Sequence, residues 1–360
     1  MANYKTLLLD EQDLWRHILP ANLSVFGSAE FARITASAAN VEPRLFVYSD
    51  EDCLIAYPFF VRRINCLPFA REAAEHLADI LSPEYCGPVL LAGNPRSNSS
   101  AFIRAFHDYC VAEGIVAEFA RLHPWRSIGK LVEGSRVVFN RSLIYVDLTQ
   151  SLEEIWERSL NHQCRGSIRK AEKAGVSIVE RRDPFAIRDF HSVYIDTMRR
   201  HSAVKRYWYS LSYFQAFLTE LPLNSRFVLA LHEGRVVACS LYLHDTEDLY
   251  AYLGGLDLEF QDLRPRNALT FEMIKWGKAN GMKRLVLGGG YRPDDGVFRH
   301  KASFSPLRAD FFVYQKVHIP EEYERICGLC NSSENSERGT IGFFPAYRCR
   351  EESTVVDRHE

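Results

Sequence analysis

The chain lacks a net charge of either sign. Its 44 Lys and Arg nearly balance 46 Asp and Glu, leaving a formal charge of −2. No global field therefore recruits nucleic acid or an anionic membrane, and any such partner has to be met by a local patch. Also missing is an apolar run long enough to cross a bilayer. The N-terminal stretch MANYKTLLLDEQDLW has one early Lys and a short apolar run ahead of acidic residues. That fits neither a signal peptide nor a transit peptide, so the expected location is the cytoplasm.

Several catalytic signatures are absent. There is no HExxH, no GxSxG and no Cys and His pair at a family spacing, which argues against a metallopeptidase or a serine hydrolase. Gly288, Gly289 and Gly290 follow a strand without the context of a dinucleotide fingerprint, and they are not a Walker loop. The nine cysteines are scattered and odd in number, so they give no disulfide framework and are expected to pack as small apolar groups. Cys327 and Cys330 form a CxxC, with Cys349 and His359 downstream, but a single pair is a poor zinc site. No metal and no bound cofactor are expected.

What is present is bulk and pattern. A chain of 360 residues, 47% hydrophobic and 12% aromatic, exceeds the usual single core and can fill two. The informative stretch is 226–304. Two apolar β-branched runs, Phe227 to Leu231 and Val236 to Leu243, flank Glu233 and Gly234 as in a tight hairpin, and Leu249 to Leu253 adds a third strand. Ala268, Leu269, Phe271, Ile274, Trp276 and Ala279 then recur at helical spacing up to a stop at Asn280 and Gly281. Leu285 to Leu287 is a fourth, short strand running into the three glycines. Hairpin, strand, helix, strand is the order of the GNAT acyltransferase core. In that core the third strand and the strand after the helix splay apart, leaving amides that a reacting carbonyl can use.

The first part of the chain looks like a blurred copy. Strands at 45–48, 54–61, 88–91 and 115–119 surround a helix at 97–113, expected to turn Phe102, Phe106, Tyr109 and Val111 inward. Strand 137–148 is the seam. Ser151 should cap a continuous helix reaching Gly175, and Asp183 with Pro184 should start another carrying Phe185, Ile187, Phe190, Val193, Tyr194 and Met198 inward. Residues 331–340 are a polar connector, IGFFPAYR after them should dock, and the final EESTVVDRHE should be loose. The expected architecture is mixed α/β: tandem GNAT-like domains facing across a cleft, each a mostly antiparallel sheet flanked by helices. Their boundaries are 1–142 (degenerate GNAT-like), 143–318 (acyltransferase) and 319–360 (partly docked extension).

Candidate site residues carry two readings each. Arg165, Arg169 and Lys173 are spaced by four along one helix face and can hold a phosphate chain or RNA backbone; the plainer alternative is a solvated face. Gly289 and Gly290 allow close approach of a substrate, or merely a turn. Lys301, in FRHKASF, can donate to a carbonyl becoming an oxyanion, and His300 can strip a proton from an amine; surface or structural roles compete with both. Tyr207, Tyr209 and Tyr252 line an acceptor groove or pack a core. Amides near Tyr252 to Gly254 would bind the oxyanion. Gly255, Arg199, Arg264, Arg266, Asn267 and Arg299 complete the expected substrate-binding set.

EYCGPVL (84–90), GIVAEFARLHPW (114–125), RGSIRKAEKAGV (165–176), YLGGLDLEFQDLRPRNAL (252–269), RLVLGGG (284–290), DGVFRHKASF (295–304) and FFPAYR (343–348) together resemble the FemAB-like branch of the GNAT superfamily. That branch includes peptidoglycan bridge aminoacyltransferases and polysaccharide-cluster acyltransferases. The resemblance implies two GNAT-like domains, with transfer in the second, and a Lys301 similar to the lysine that family uses near the reacting carbonyl. The family often has an aromatic where this chain has His300. Acetyl-CoA enzymes carry a glycine-rich pyrophosphate loop where this chain has QDLRPRNA (261–268). Pro265 removes an amide and Arg264 and Arg266 replace glycines, which disfavours coenzyme A.

The expected activity is N-acyl transfer from aminoacyl-tRNA to an amine of a sugar, peptide or envelope precursor, with possible peripheral membrane association. The alternatives are an acyl-CoA-dependent transferase of exopolysaccharide or small-metabolite synthesis, and a non-catalytic nucleotide-sugar or RNA binder.

Overall fold

The structure is a computed structural model. It describes residues 3–93, 95–126, 136–292, 294–332 and 343–349. The described residues divide into two units, one drawn from Met1–Asn140 and Phe311–Thr354, the other from Arg141–Asp310.

The first unit opens with β1 (Asn3–Leu8), α1 (Gln12–Ile18) and α2 (Ala29–Ala39), then a hairpin of β2 (Glu42–Ser49) and β3 (Cys53–Arg63). β4 (Ala78–Leu81), β5 (Val89–Gly93), α3 (Pro95–Ala112) and β6 (Ile115–Arg121) follow. β1 to β4 pair antiparallel in order, β4 pairs parallel with β6, and β5 folds back onto β3. Phe102, Phe106 and Tyr109, at i, i+4 and i+7 on α3, bury into the aromatic core with Phe46, Tyr57 and Phe59. Val111 was expected inward but is 47% exposed, because it lies off that stripe.

β7 (Arg136–Asp147) leads into the second unit. There α4 (Leu152–Glu154), α5 (His162–Lys173), β8 (Ser177–Glu180), α6 (Pro184–Arg200) and α7 (Leu211–Glu220) precede a meander of β9 (Ser225–His232), β10 (Arg235–His244) and β11 (Asp248–Leu256). α8 (Pro265–Ala279), β12 (Arg284–Gly288) and α9 (Gly296–Ala302) complete it. β8 to β11 pair antiparallel, β11 pairs parallel with β12, and β12 pairs antiparallel with β7. The chain then returns to the first unit as β13 (Arg308–Val317), antiparallel to β6, and α10 (Pro320–Ser332).

Both units thus carry a mostly antiparallel sheet whose one parallel pair flanks a helix, as a tandem GNAT-like architecture requires. The meander was legible in the residues. Glu233 and Gly234 take φ of 50° and 78°, the two left-handed positions of the favoured hairpin turn.

The helix expected from Ser151 to Gly175 is broken. Ser151 forms its capping box with Glu154, but a π-helical turn over Ile155–Ser159 ends in extended Leu160. Asn161 then caps α5 afresh by accepting from the Cys164 amide. α6 begins on Asp183 and Pro184 as expected, with Ile187, Phe190, Tyr194 and Met198 buried; Phe185 instead lies 74% exposed in the first turn.

CxxC residues 327 and 330 lie within α10, so the helix extends into the expected connector; residues 333–342 and the final 350–360 fall outside the described residues. Tyr347 in the FFPAYR segment packs with Ile64, Val116, Ile326 and Cys330 of the first unit.

Candidate active site

The feature that organises the site is a gap in the second sheet. β11 and β12 are in register only at Asp248↔Arg284, Leu249↔Leu285 and Tyr250↔Val286. Beyond Tyr250 the β11 strand continues to Leu256 while β12 keeps its antiparallel partner β7. The strands part at their C-terminal ends, and the edge of β11 from Ala251 onward is turned toward the gap.

On its other side, β11 carries a bulge at the gap's mouth. Leu241 faces Leu253 and Tyr242 faces Ala251, so Tyr252 is the inserted residue. Its half-buried ring sends its hydroxyl to within 2.9 Å of the Tyr213 hydroxyl. Tyr213 in turn stacks on Tyr209 with centroids 4.0 Å apart. Tyr194 donates its hydroxyl to the Tyr207 carbonyl at 2.7 Å, and the Tyr207 ring meets Tyr291 edge-on. A wall of tyrosines therefore stands on the α6–α7 side of β11.

The opposite wall is cationic. Lys301, half-buried on the last turn of α9, donates from Nζ to the Gly289 carbonyl at 2.7 Å, just past the end of β12. Burial, and the nearby guanidinium groups of Arg266 and Arg141, push its pKa down to about 8. It remains mostly protonated at neutral pH while giving up its proton far more readily than a surface lysine. His300 packs edge-on against Phe304, and burial with Arg266, Lys301 and Arg264 nearby lowers its pKa to about 3. His300 is thus a neutral ring of weak basicity, far from the near-neutral pKa that suits a general base. Asp295 caps α9 by accepting from the Phe298 amide at 2.7 Å and gathers the Tyr291 and Arg292 amides, which fixes the loop that delivers Lys301.

α8 begins beside this wall. Arg264 sits in the left-handed region at φ 58° and gives no side-chain cap, and Pro265 occupies the first turn. The Asn267 amide is already taken by the Arg264 carbonyl at 3.1 Å. With one amide absent and one occupied, this helix start has few donors left for a pyrophosphate. The Arg266 side chain forms no hydrogen bond or ion pair among the described residues.

Other expected residues have protein partners. Arg165 donates from Nη1 to the Trp156, Glu157 and Leu160 carbonyls at 3.0–3.1 Å and 2.7 Å, capping the π-helical turn. Arg169 lies over the Trp156 ring at 5.3 Å, and Lys173 is exposed on the same helix. Arg199 pairs with Asp196, Arg299 donates to the Asp294 carbonyl, and the Asn267 amide group contacts the Cys164 sulfur.

Three of the four glycines meet backbone too closely to carry a side chain, and at Gly289 the close neighbour is the movable side chain of Arg141. A Cβ at Gly255 would lie 2.6 Å from the Val193 carbonyl, at Gly254 2.7 Å from that of Cys239, at Gly289 2.8 Å from Arg141, and at Gly290 2.4 Å from Asp295. Arg141, which donates to the Gly290 carbonyl at 2.9 Å, was missed in the sequence because nothing local marks it. Asp295 had a signal, an N-cap residue ahead of GVFRHKA. Among the described residues no group of three or more His, Cys, Asp or Glu is placed to hold a metal ion. No described helix is long and apolar enough to cross a membrane.

Residues 158–301 match the acetyltransferase (GNAT) domain family. Among solved structures, FemX covers 90% of this chain and 99% of its own at 12% identity, with a TM-score of 0.66. The C-terminal domain of a protein named as a lysylphosphatidylglycerol synthetase, from Agrobacterium fabrum, covers 84% of this chain and 92% of its own at 13% identity and TM-score 0.55. A tandem GNAT protein from the clavulanic acid biosynthesis pathway covers 88% and 99% at 9% identity and TM-score 0.50. These likenesses are of fold. No curated protein matches by sequence.

Proposed function

From an acetyltransferase (GNAT) domain over residues 158–301, set in a tandem fold shared with FemX, we infer that this acyltransferase forms an amide between an aminoacyl ester of tRNA and an amine on a cell-envelope precursor, sugar or peptide. One observation carries the reading: β11 and β12 separate after Tyr250 and Val286, and Lys301 reaches the same open end. An acyl carbonyl seated along the free edge of β11 meets amides near Tyr252 to Gly254 on one side and the Lys301 ammonium on the other. The amine nitrogen attacks the carbonyl carbon, the tetrahedral oxyanion is held by those donors, and the ester C–O bond breaks as the leaving ribose oxygen takes up the proton that the amine gives up. Donors fixed in advance in a partly dry site make the largest contribution to such a step.

The donor choice rests on the start of α8, where Pro265 and the occupied Asn267 amide leave little for the pyrophosphate of coenzyme A. It agrees with the resemblance to bridge aminoacyltransferases and with a structural neighbour named for a lysyl lipid. The tyrosine wall is the side on which the acceptor would lie, and Arg266, without a protein partner, is the cation proposed to meet an anionic group of donor or acceptor. The second unit alone would carry the chemistry.

The test is direct. Purified protein is incubated with charged tRNA or with acetyl-CoA and a panel of amine acceptors, and amide product is read by mass spectrometry. Product from charged tRNA alone supports the reading. Product from acetyl-CoA alone moves the enzyme to coenzyme A chemistry, and tight ligand binding without product from either donor makes it a binding protein.

A further inference from the structure

The first unit buries a chain of four proton-sharing side chains that the transfer reaction does not use. Tyr57 on β3 donates its hydroxyl to Glu118 Oε1 on β6 at 2.6 Å, and Glu118 Oε2 lies 3.1 Å from His318 Nε2. The other nitrogen of that ring, His318 Nδ1, lies 3.1 Å from His107 Nδ1 on α3. Tyr57, Glu118 and His318 are 0%, 1% and 4% exposed, while His107 is half-buried. A carboxylate this deep persists only when its lone pairs are met, and here both oxygens have partners.

The contact between the two imidazoles fixes their proton count. Two ring nitrogens 3.1 Å apart form a hydrogen bond when one carries a proton and the other offers a lone pair. His318 Nε2 faces an acceptor, so it carries a proton of its own. One further proton lies between the rings, on either side. A second proton there sets two N–H groups head to head and, with Nε2 of His107 also protonated, stacks two imidazolium ions whose centroids are 5.4 Å apart. The charged surroundings do not relieve this. Lys316 adds positive charge beside His107, and Asp108 opposes it weakly. Glu118 already has Tyr57 and His318, with Cys110 beside it, while Tyr314 acts on Tyr57 and Glu113 on Cys110.

The relay also sits at a joint. His318 is where β13 turns into α10, and its amide donates to the Val116 carbonyl on β6 at 2.8 Å. The ring pair therefore ties together β6, α3 and the returning segment that carries α10.

We propose that the His107–His318 pair is an acid-sensitive latch in the first unit: once protons occupy both facing nitrogens, the shared hydrogen bond breaks, the His107 ring is driven outward, and α3 and the β13–α10 joint loosen from β6. The sign follows from where His107 stands. Burial, His318 and Lys316 lower its pKa below the ordinary 6.5, so the unfolded chain binds its proton more readily. The stabilisation is complete above the unfolded-state value and is lost as pH falls below it toward the lowered folded value.

Urea unfolding of the full chain between pH 8 and pH 5 tests this, comparing wild type with His107→Gln, which keeps a hydrogen-bonding group but cannot titrate. Wild type should lose folding equilibrium constant more steeply below pH 6.5, by up to about tenfold per pH unit, the slope of one linked proton. Parallel profiles overturn the latch. Should His107→Gln fail to fold, ¹⁵N spectra of the wild-type histidines decide. His107 titrating below the ordinary histidine range, with its protonation shifting the His318 signal, supports the proposal. An ordinary His107 titration that leaves His318 unmoved refutes it.

Discussion

Lys301 shows what a residue's surroundings add to its type. In the sequence it is one lysine among many, marked only by FRHKASF and a family likeness. In the fold, burial and two neighbouring guanidinium groups bring it to about 8, and its Nζ is tethered 2.7 Å from the Gly289 carbonyl. If the Lys301 ammonium is the proposed oxyanion donor, turnover should fall as pH rises through about 8, and Lys301→Arg, always charged, should remove that alkaline limb where it still supports turnover. A saturated rate that climbs steadily through pH 9 would contradict the cationic role. Arg141 illustrates the opposite case: it contacts Gly290 across about 150 positions of sequence, and no spacing rule connects them.

At the scale of elements, the hairpin and α8 were readable because their signals are local: a Glu-Gly turn, helical spacing, and a stop at Asn280 and Gly281. The break at Leu160 was not, since a continuous apolar stripe runs through it. What makes the break is a π-helical turn whose carbonyls need a donor, and Arg165 supplies it three times over. Arg165→Ala should therefore lower stability by about 1.5–3 kcal/mol in urea unfolding, the range for hydrogen bonds to a charged group. If Arg165→Ala instead leaves stability intact and weakens a phosphorylated ligand in a salt-dependent way, the phosphate-binding reading of this helix face stands. The four-residue β4 was equally hard to see, because so short a strand has no period to read, and its identity comes from pairing with β3 and β6.

For the molecule as a whole, the duplicated strand and helix order was visible from composition and pattern, but the path of the C-terminal segment was not. β13 pairs with β6 and the residues up to 349 rejoin the first unit, contacts that no local rule announces. Their anchor is Arg348, 3% exposed, whose Nε meets the fully buried Asp79 carboxylate at 2.5 Å while its Nη2 reaches the Arg62 and Arg63 carbonyls. Arg348→Met should cost about 1.5–3 kcal/mol in urea unfolding, because it removes one charged hydrogen bond from a buried carboxylate that Arg62 Nε still meets at 2.7 Å. The double variant with Asp79→Asn should recover part of that loss, and a harmless Arg348→Met would show that the segment is not anchored there.

The measurement that bears most directly on acyl transfer in the gap between β11 and β12 is single-turnover amide formation from charged tRNA by wild type and Lys301→Met, with melting followed in parallel. The account predicts product from wild type and a rate lower by about a hundredfold or more in the variant at unchanged melting temperature, the loss expected for one oxyanion donor. Equal rates in the two proteins would contradict it.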